Sequence, residues 1–311
     1  MEFSPDNPTT LITTHGSVDQ DDNRTFVCIW NVAQPSHPTF IFMCPGTVTA
    51  VCFTAIRSTL VFAGCEEGEV VVWDCRETMA QHQQLHQKNQ HTARSPTFSH
   101  TDAHCSRVTA IKPLVDSSDL EMTELSGDAN KLSAFQMVSV ENLGQVVIWT
   151  VLDYQRDFDQ NLGLAHWGQV RMVPSSVVNL GSLITADLHN HEHEVHAYDI
   201  SMDPEDGTRF YVGADDGIVI HGSTQADHRP SPRLFKPEIE TSASCNSIAF
   251  CPFDEPYMLL GSQDGSIRLH NSSNERPLIT WAGTVDNEPI IKVIWSTSRP
   301  CVFYILDSAN R

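Results

Sequence analysis

An all-β fold of small sheets packed face to face is what the sequence predicts, and three observations carry that expectation. First, the stretch Val48 to Glu77, VTAVCFTAIRSTLVFAGCEEGEVVVWDCRE, reads as a complete three-strand unit. Val48 to Phe53 alternates and is β-branched, Leu60 to Gly64 is a second apolar run, Glu66-Glu67-Gly68 signals a tight turn, and Glu69 to Asp74 is a third strand. Second, that third run, Val70-Val71-Val72-Trp73, does not alternate, and a strand apolar at every position is buried on both faces. Third, the pattern recurs, more or less worn, along the rest of the chain.

Taken in order, Glu2 to Pro5 ends a short first strand, Thr9 to Thr14 forms a second, and Phe26 to Asn31 a third that finishes in Trp-Asn. Pro38 to Phe42 supplies an outer fourth strand. The stretch described above is the second unit. A third unit comprises Val108 to Val115, Phe135 to Val140, a turn through Gly144, and Gln145 to Thr150, with outer-strand material at Val170 to Val173 and Val177 to Ile184. The fourth runs from Glu194 to Ile200, through Arg209 to Gly213 and the Asp215-Asp216-Gly217 turn, to Ile218 to Gly222. The fifth takes Ser247 to Cys251, Tyr257 to Gly261, the Gln263-Asp264-Gly265 turn, Ser266 to Asn271 and an outer strand at Leu278 to Trp281. A sixth begins at Ile290 to Trp295 and continues through Cys301 to Leu306.

Third strands therefore end at Trp30, Trp73 (followed by Asp74), Trp149, His221 and His270, with His standing in the last two where Trp stood before. Gly68, Gly144, Gly217 and Gly265 precede these strands, as hairpins that need a positive φ require. A unit of ~40 to 45 residues with surface inserts is the period of a WD-repeat β-propeller. A β-sandwich would not need Trp or His at one recurring strand end. Blades are expected at about residues 1–43, 44–106, 107–193, 194–240, 241–284 and 285–311, with polar insertions at 76–106, 116–131 and 153–193. That is about five and a half blades, expected to be part of a seven- or eight-bladed disc, so residues 1–311 alone should associate through exposed blade faces.

The insertions raise the question of metal. His82, His86, His91, His100 and His104 cluster in the first, but their spacing fits no compact ligand set, and a solvated loop is the expectation. The run His189 to His196 contains no H-E-x-x-H in any frame and is also expected to be a loop, although His189, His191 and His193 would share a face on a strand. Nine scattered cysteines without a C-x-x-C pair read as buried thiols of a reducing compartment. A net charge of −20 opposes phosphate backbones and anionic membranes, so nucleic acid is not an expected partner. No apolar run approaches the ~18 residues of a membrane span. With no G-x-S-x-G, no phosphate-binding glycine loop and no zinc-hydrolase motif, neither catalysis nor a cofactor is expected.

Several segments carry a family resemblance: Phe26 to Pro38, Leu60 to Gly64 with Val70 to Glu77, Leu234 to Pro237, Asp264 to His270 and Trp295 to Phe303. Together they resemble the WD-repeat dynein intermediate chains, most of all those of cytoplasmic dynein 2, the motor of retrograde intraflagellar transport. The resemblance spans the chain but is faint from Gln81 to Asn190. It implies a non-catalytic scaffold in the cytoplasm, cilium and ciliary base. Its propeller would dock on the dynein 2 heavy-chain tail alongside a second intermediate chain, and light chains would bind upstream of it. It assigns no partner-binding residues. The Gly-His pair that often precedes a WD blade is missing, and only Trp73-Asp74 keeps the literal dipeptide. The alternative is a substrate receptor of a cullin-RING ubiquitin ligase, for which Trp73, Asp74 and Arg76 supply a W-D-x-R box; an Arg after such a strand end is more often a solvated charge.

Overall fold

The computed structural model describes every residue except 6, 18–22, 55–58, 79–81, 83–92, 115–131, 155–167, 185–193, 226–229, 283–286 and 310–311. The protein divides into two compact units. One comprises Met1–Glu141 with Val147–Val177, the other Asn142–Val146 with Val178–Arg311.

The first unit is built on three antiparallel sheets, each joined in chain order. The first contains β1 (Glu2–Phe3), β2 (Thr10–Gly16), β3 (Thr25–Asn31) and β4 (Phe40–Cys44). The second contains β5 (Val48–Phe53), β6 (Leu60–Cys65), β7 (Val70–Asp74) and β8 (Phe98–His100). The third contains β9 (Val108–Leu114), β10 (Leu132–Glu141), β11 (Gln145–Tyr154) and β12 (Val170–Asn179). In the second sheet Val71 and Trp73 enter a core shared with Phe42, Cys44 and Val27 of the first, while Val70 and Val72 enter one shared with Val108, Met137 and Trp149 of the third. This two-sided burial is why the Val70 to Trp73 run never alternates, since each fully covered side chain is worth about 2 kcal/mol whichever face it occupies.

The sheets are also sewn together by backbone. Residues 93–96 leave the second sheet and bridge to the first: the Arg94 amide donates to the Ile41 carbonyl, and the Met43 amide to that of Arg94. The Arg94 guanidinium then lies 4.6 Å from the centre of the Phe40 ring. At Gly64 the third sheet comes so close that a Cβ would lie 2.3 Å from a methyl of Val108, so glycine here serves close packing of sheets.

The second unit holds β13 (Ala197–Met202), β14 (Arg209–Ala214), β15 (Val219–Ser223) and β16 (Leu234–Phe235) in one sheet. The next has β17 (Cys245–Phe250), β18 (Tyr257–Ser262), β19 (Ile267–Asn271) and β20 (Ile279–Trp281). A pair, β21 (Ile290–Trp295) and β22 (Phe303–Asp307), makes up a two-stranded sheet. Tyr211, Val219 and Phe235 pack with Cys245, Ile248 and Leu260 between the first two sheets, and Leu259 and Ile267 with Ile290 and Val293 between the second and the pair. Outer-strand material expected at Val177 to Ile184 is only partly strand. β12 ends at Asn179 and a five-residue helix, α1 (Leu180–Ile184), follows, burying Leu180 and Ile184. The Asn179 side chain accepts the Gly181 amide, the local bond that turns strand into helix.

The architecture is that of WD-repeat propeller blades: antiparallel sheets in chain order, stacked through apolar faces. Among the described residues no helix is long and apolar enough to cross a membrane.

Candidate functional site

The turn glycines lie where their conformation is needed. Gly68, Gly144, Gly217 and Gly265 have φ between +65° and +85°, and each stands at the hairpin that opens a third strand. The strand-end residues diverge in what they touch. Trp30 is half-buried and donates its indole N–H to Thr13 Oγ1 at 2.8 Å. Trp73 is fully buried and stacks on Phe42, with ring centres 5.5 Å apart. Trp149, also fully buried, donates to Ser139 Oγ at 2.8 Å, and Ser139 shares a 2.6 Å hydrogen bond with His104 Nε2.

That three-residue chain corrects an expectation. His104, expected in a solvated insertion, is buried, with burial first and the neighbouring His100 second pushing its pKa down to about 4. A neutral imidazole can accept the Ser139 hydroxyl proton while Ser139 accepts from Trp149. Although the Gly-His pair is missing, the third sheet carries a hydrogen-bonded chain, with His104 supplying the imidazole from just before β9. The Glu141 carboxylate, which accepts the Cys105 and Ser106 amides, holds this segment in place. His82 is likewise buried, 2.9 Å from Glu77, and His100 packs edge-on against Trp149. His86 and His91 lie outside the described residues, as do His189, His191 and His193. Among the described residues no group of three or more His, Cys, Asp or Glu side chains could hold a metal ion.

His221 does not occupy the position of the tryptophans. Val61 pairs with Trp73 and Met258 with His270, but the corresponding Phe210 pairs with Gly222. His221 is one residue early and so on the opposite face, where it stacks on Tyr211 at 4.2 Å and its Nδ1 lies 2.8 Å from the Pro232 carbonyl oxygen. The Phe210 ring fills the vacated space, 2.3 Å from where a Gly222 Cβ would stand. The single-residue offset between Gly217-to-His221 and Gly265-to-His270 was visible in the sequence and marks the difference. His270 does hold the tryptophan register. It is buried edge-on against Phe235, and burial together with the nearby Arg268 cation pushes its pKa down to about 4. Arg268 itself, which no sequence motif singles out, is almost wholly buried and donates from Nη2 to Ser262 Oγ at 3.0 Å.

The W-D-x-R box forms a closed electrostatic cluster. Arg76 grips Asp74 through Nε and Nη2, at 2.6 to 2.9 Å, and reaches Asp153 of β11 with Nη2 at 2.7 Å. Both carboxylates are buried. Burial opposes the guanidinium's charge, but hydrogen bonds to the two carboxylates more than offset it and raise its pKa. Arg76 is thus committed to joining the second and third sheets, and is not the solvated charge expected. In the second unit Asp199 plays a comparable role. It accepts the Ile248 amide at 3.1 Å and the Lys292 ammonium at 3.2 Å, tying β13 to β17 and β21.

The cysteines are less uniform than expected. Cys105 and Cys301 are exposed and Cys75 is half-buried, while the other six are buried. At the turn end of the second unit the 239–241 loop meets two hairpin turns: Thr241 Oγ1 lies 3.5 Å from Asp264, and the Thr241 methyl abuts the Gly217 turn. Asp216, Ile239, Glu240 and Asp264 are exposed.

A family model described as "Dynein axonemal intermediate chain 3 WD40 domain" matches residues 22–123. Mouse "Cytoplasmic dynein 2 intermediate chain 1" is 34% identical over 308 residues, covering 93% of this chain and 31% of its own length. The chain is a homologue of the dynein intermediate chains. The human protein of the same name is 31% identical over 312 residues, with 93% of this chain and 29% of the relative covered. Human "Cytoplasmic dynein 2 intermediate chain 2" is 23% identical over 317 residues, 93% and 51% covered. The chain spans about a third of the length of the two more similar dynein intermediate chains.

Proposed function

We propose that this chain is the propeller region of a dynein 2 intermediate chain, a non-catalytic scaffold that docks on the heavy-chain tail and supports retrograde intraflagellar transport and cilium assembly. The observation that carries the reading is sequence similarity along 93% of the chain to intermediate chain 1 of cytoplasmic dynein 2. Stacked sheets suit such a role, because a rigid core presents loops on its surface without moving when they are engaged. On this reading the blades span about residues 1–43, 44–106, 107–193, 194–240, 241–284 and 285–311, and the assembly includes the second intermediate chain and light chains in the cytoplasm, at the ciliary base and in the cilium. With a net charge of −20, the favoured partner surface is basic or mixed, and association slows as salt rises.

Expressed with an affinity tag in ciliated cells, the chain should recover dynein 2 heavy chain, less of it at high ionic strength. Recovery of the complex's other subunits without heavy chain would refute heavy-chain docking. A cullin-adaptor role has no support in the relatives, and Arg76 is engaged with Asp74 and Asp153.

A further inference from the structure

Two buried thiols meet at the seam between the first two sheets. Cys44 ends β4 and Cys65 ends β6, and their sulfurs are 3.5 Å apart, in contact across the sheets. Both are buried in the apolar cluster that includes Ile12, Val27, Phe42, Val61 and Trp73. Each nevertheless stands one residue from an exposed turn residue, Pro45 or Glu66, so a local opening of the strand end admits a water-sized reagent. The two sulfurs are not equivalent. A hydrogen bond from the Cys65 thiol, reinforced by the Gly46 amide, lowers the Cys44 pKa, whereas donating that bond and burial raise that of Cys65. Cys44 is therefore the better nucleophile and Cys65 the thiol placed to resolve what forms on it.

We propose that Cys44 and Cys65 are a redox site that a peroxide closes into a disulfide joining the first sheet to the second. The Cys44 thiolate attacks one oxygen of hydrogen peroxide and the O–O bond breaks, leaving Cys44 as a sulfenic acid and releasing hydroxide. The Cys65 sulfur then attacks the Cys44 sulfur. The S–O bond breaks, and the departing oxygen leaves as water with the Cys65 proton, while the hydroxide takes up the proton lost earlier from Cys44. Two thiols and one peroxide give one disulfide and two waters, a two-electron oxidation reversed by a dithiol reductant. The 21-residue separation of the two cysteines makes the bond a constraint on the chain, and its place makes it a clamp on the seam that Phe42 and Trp73 fill.

The test uses the full chain with its exposed thiols removed by Cys105→Ser and Cys301→Ser, so that bonds between molecules do not intrude. After mild peroxide treatment of the folded protein and alkylation, peptide mapping should recover Cys44 and Cys65 in one cross-linked peptide. The melting temperature should rise by about 5 °C and return on reduction. Adding Cys65→Ser, which removes the resolving sulfur but keeps a hydroxyl donor beside Cys44, should leave a Cys44 sulfenic acid that dimedone traps. Adding Cys44→Ala should leave Cys65 far slower to react. Recovery of the two cysteines as separate peptides, alkylated or oxidised beyond the sulfenic acid, overturns the proposal; so does a cross-link that leaves melting unchanged.

Discussion

Trp73 and Trp149 stand in adjacent sheets of one unit at the same place on a third strand, both fully buried, yet they are held by different physics. Trp149 is the end of a hydrogen-bonded chain through Ser139 to His104. The strand that pairs with Trp73 carries Ala63 in the place of Ser139, and the Trp73 indole N–H has no hydrogen-bond partner among the described residues. Trp73 is secured instead by stacking on Phe42. The gap between sheets at this point is filled by a large ring, from the third strand or, as with Phe210, from the strand beside it, whereas the polar chain is an addition that one blade carries and another lacks.

The largest test of that contrast is acid. A buried neutral His whose pKa falls from 6.5 to about 4 stabilises the fold fully above pH 6.5, and this stability is lost as pH falls from there toward 4, because the unfolded state binds the proton first. His104 and His270 should each forfeit roughly 3 kcal/mol across that window. Urea melts at pH 7 and pH 4.5 should show the loss in wild type and a smaller one in His104→Phe, the remainder coming from His270 and the buried His221; a loss unchanged in the variant would remove His104 from the account.

Replacing each tryptophan by phenylalanine probes the contrast directly. Trp149→Phe should cost about 3 kcal/mol, since it leaves the buried Ser139 hydroxyl with one acceptor site unfilled as well as a void. Trp73→Phe should cost about 1 to 2 kcal/mol, for the void alone. Equal losses in chemical denaturation would mean that the polar chain adds nothing. A smaller effect is expected where two carboxylates share one cation. Arg76→Ala should destabilise by about 2 kcal/mol, because Asp74 and Asp153 remain buried while the exposed side of the guanidinium discounts the loss. Adding Asp153→Asn should restore part of it, as a thermal melt of the double variant would report. Smallest of all is Arg268→Met. Its Nε and Nη1 have no partner among the described residues, so an apolar side chain of similar volume should leave stability within about 1 kcal/mol or raise it.

The hairpin frame was legible in the sequence because its causes are local. A glycine that must take positive φ, β-branched runs on either side and an apolar third strand can be read without knowing what lies opposite. The partners of charged and aromatic side chains could not be read this way. Arg76 looked solvated because Asp153, which helps hold it, is 77 residues away along the chain. His104 looked like one more polar residue of an insert because Ser139 and Trp149, which bury it, belong to strands further on. His221 was misplaced for a different reason: one residue of offset reverses the face of a strand, and only pairing fixes register.

By itself, then, the sequence determined the repeating strand order, the turns that fold each sheet and the kinship with dynein intermediate chains, all of which depend on residue type at short spacing. The tertiary structure alone decided which rings are hydrogen-bonded, which charges are neutralised and which thiols touch. Those outcomes arise where one sheet meets the next, and the side chains that meet there come from distant parts of the chain.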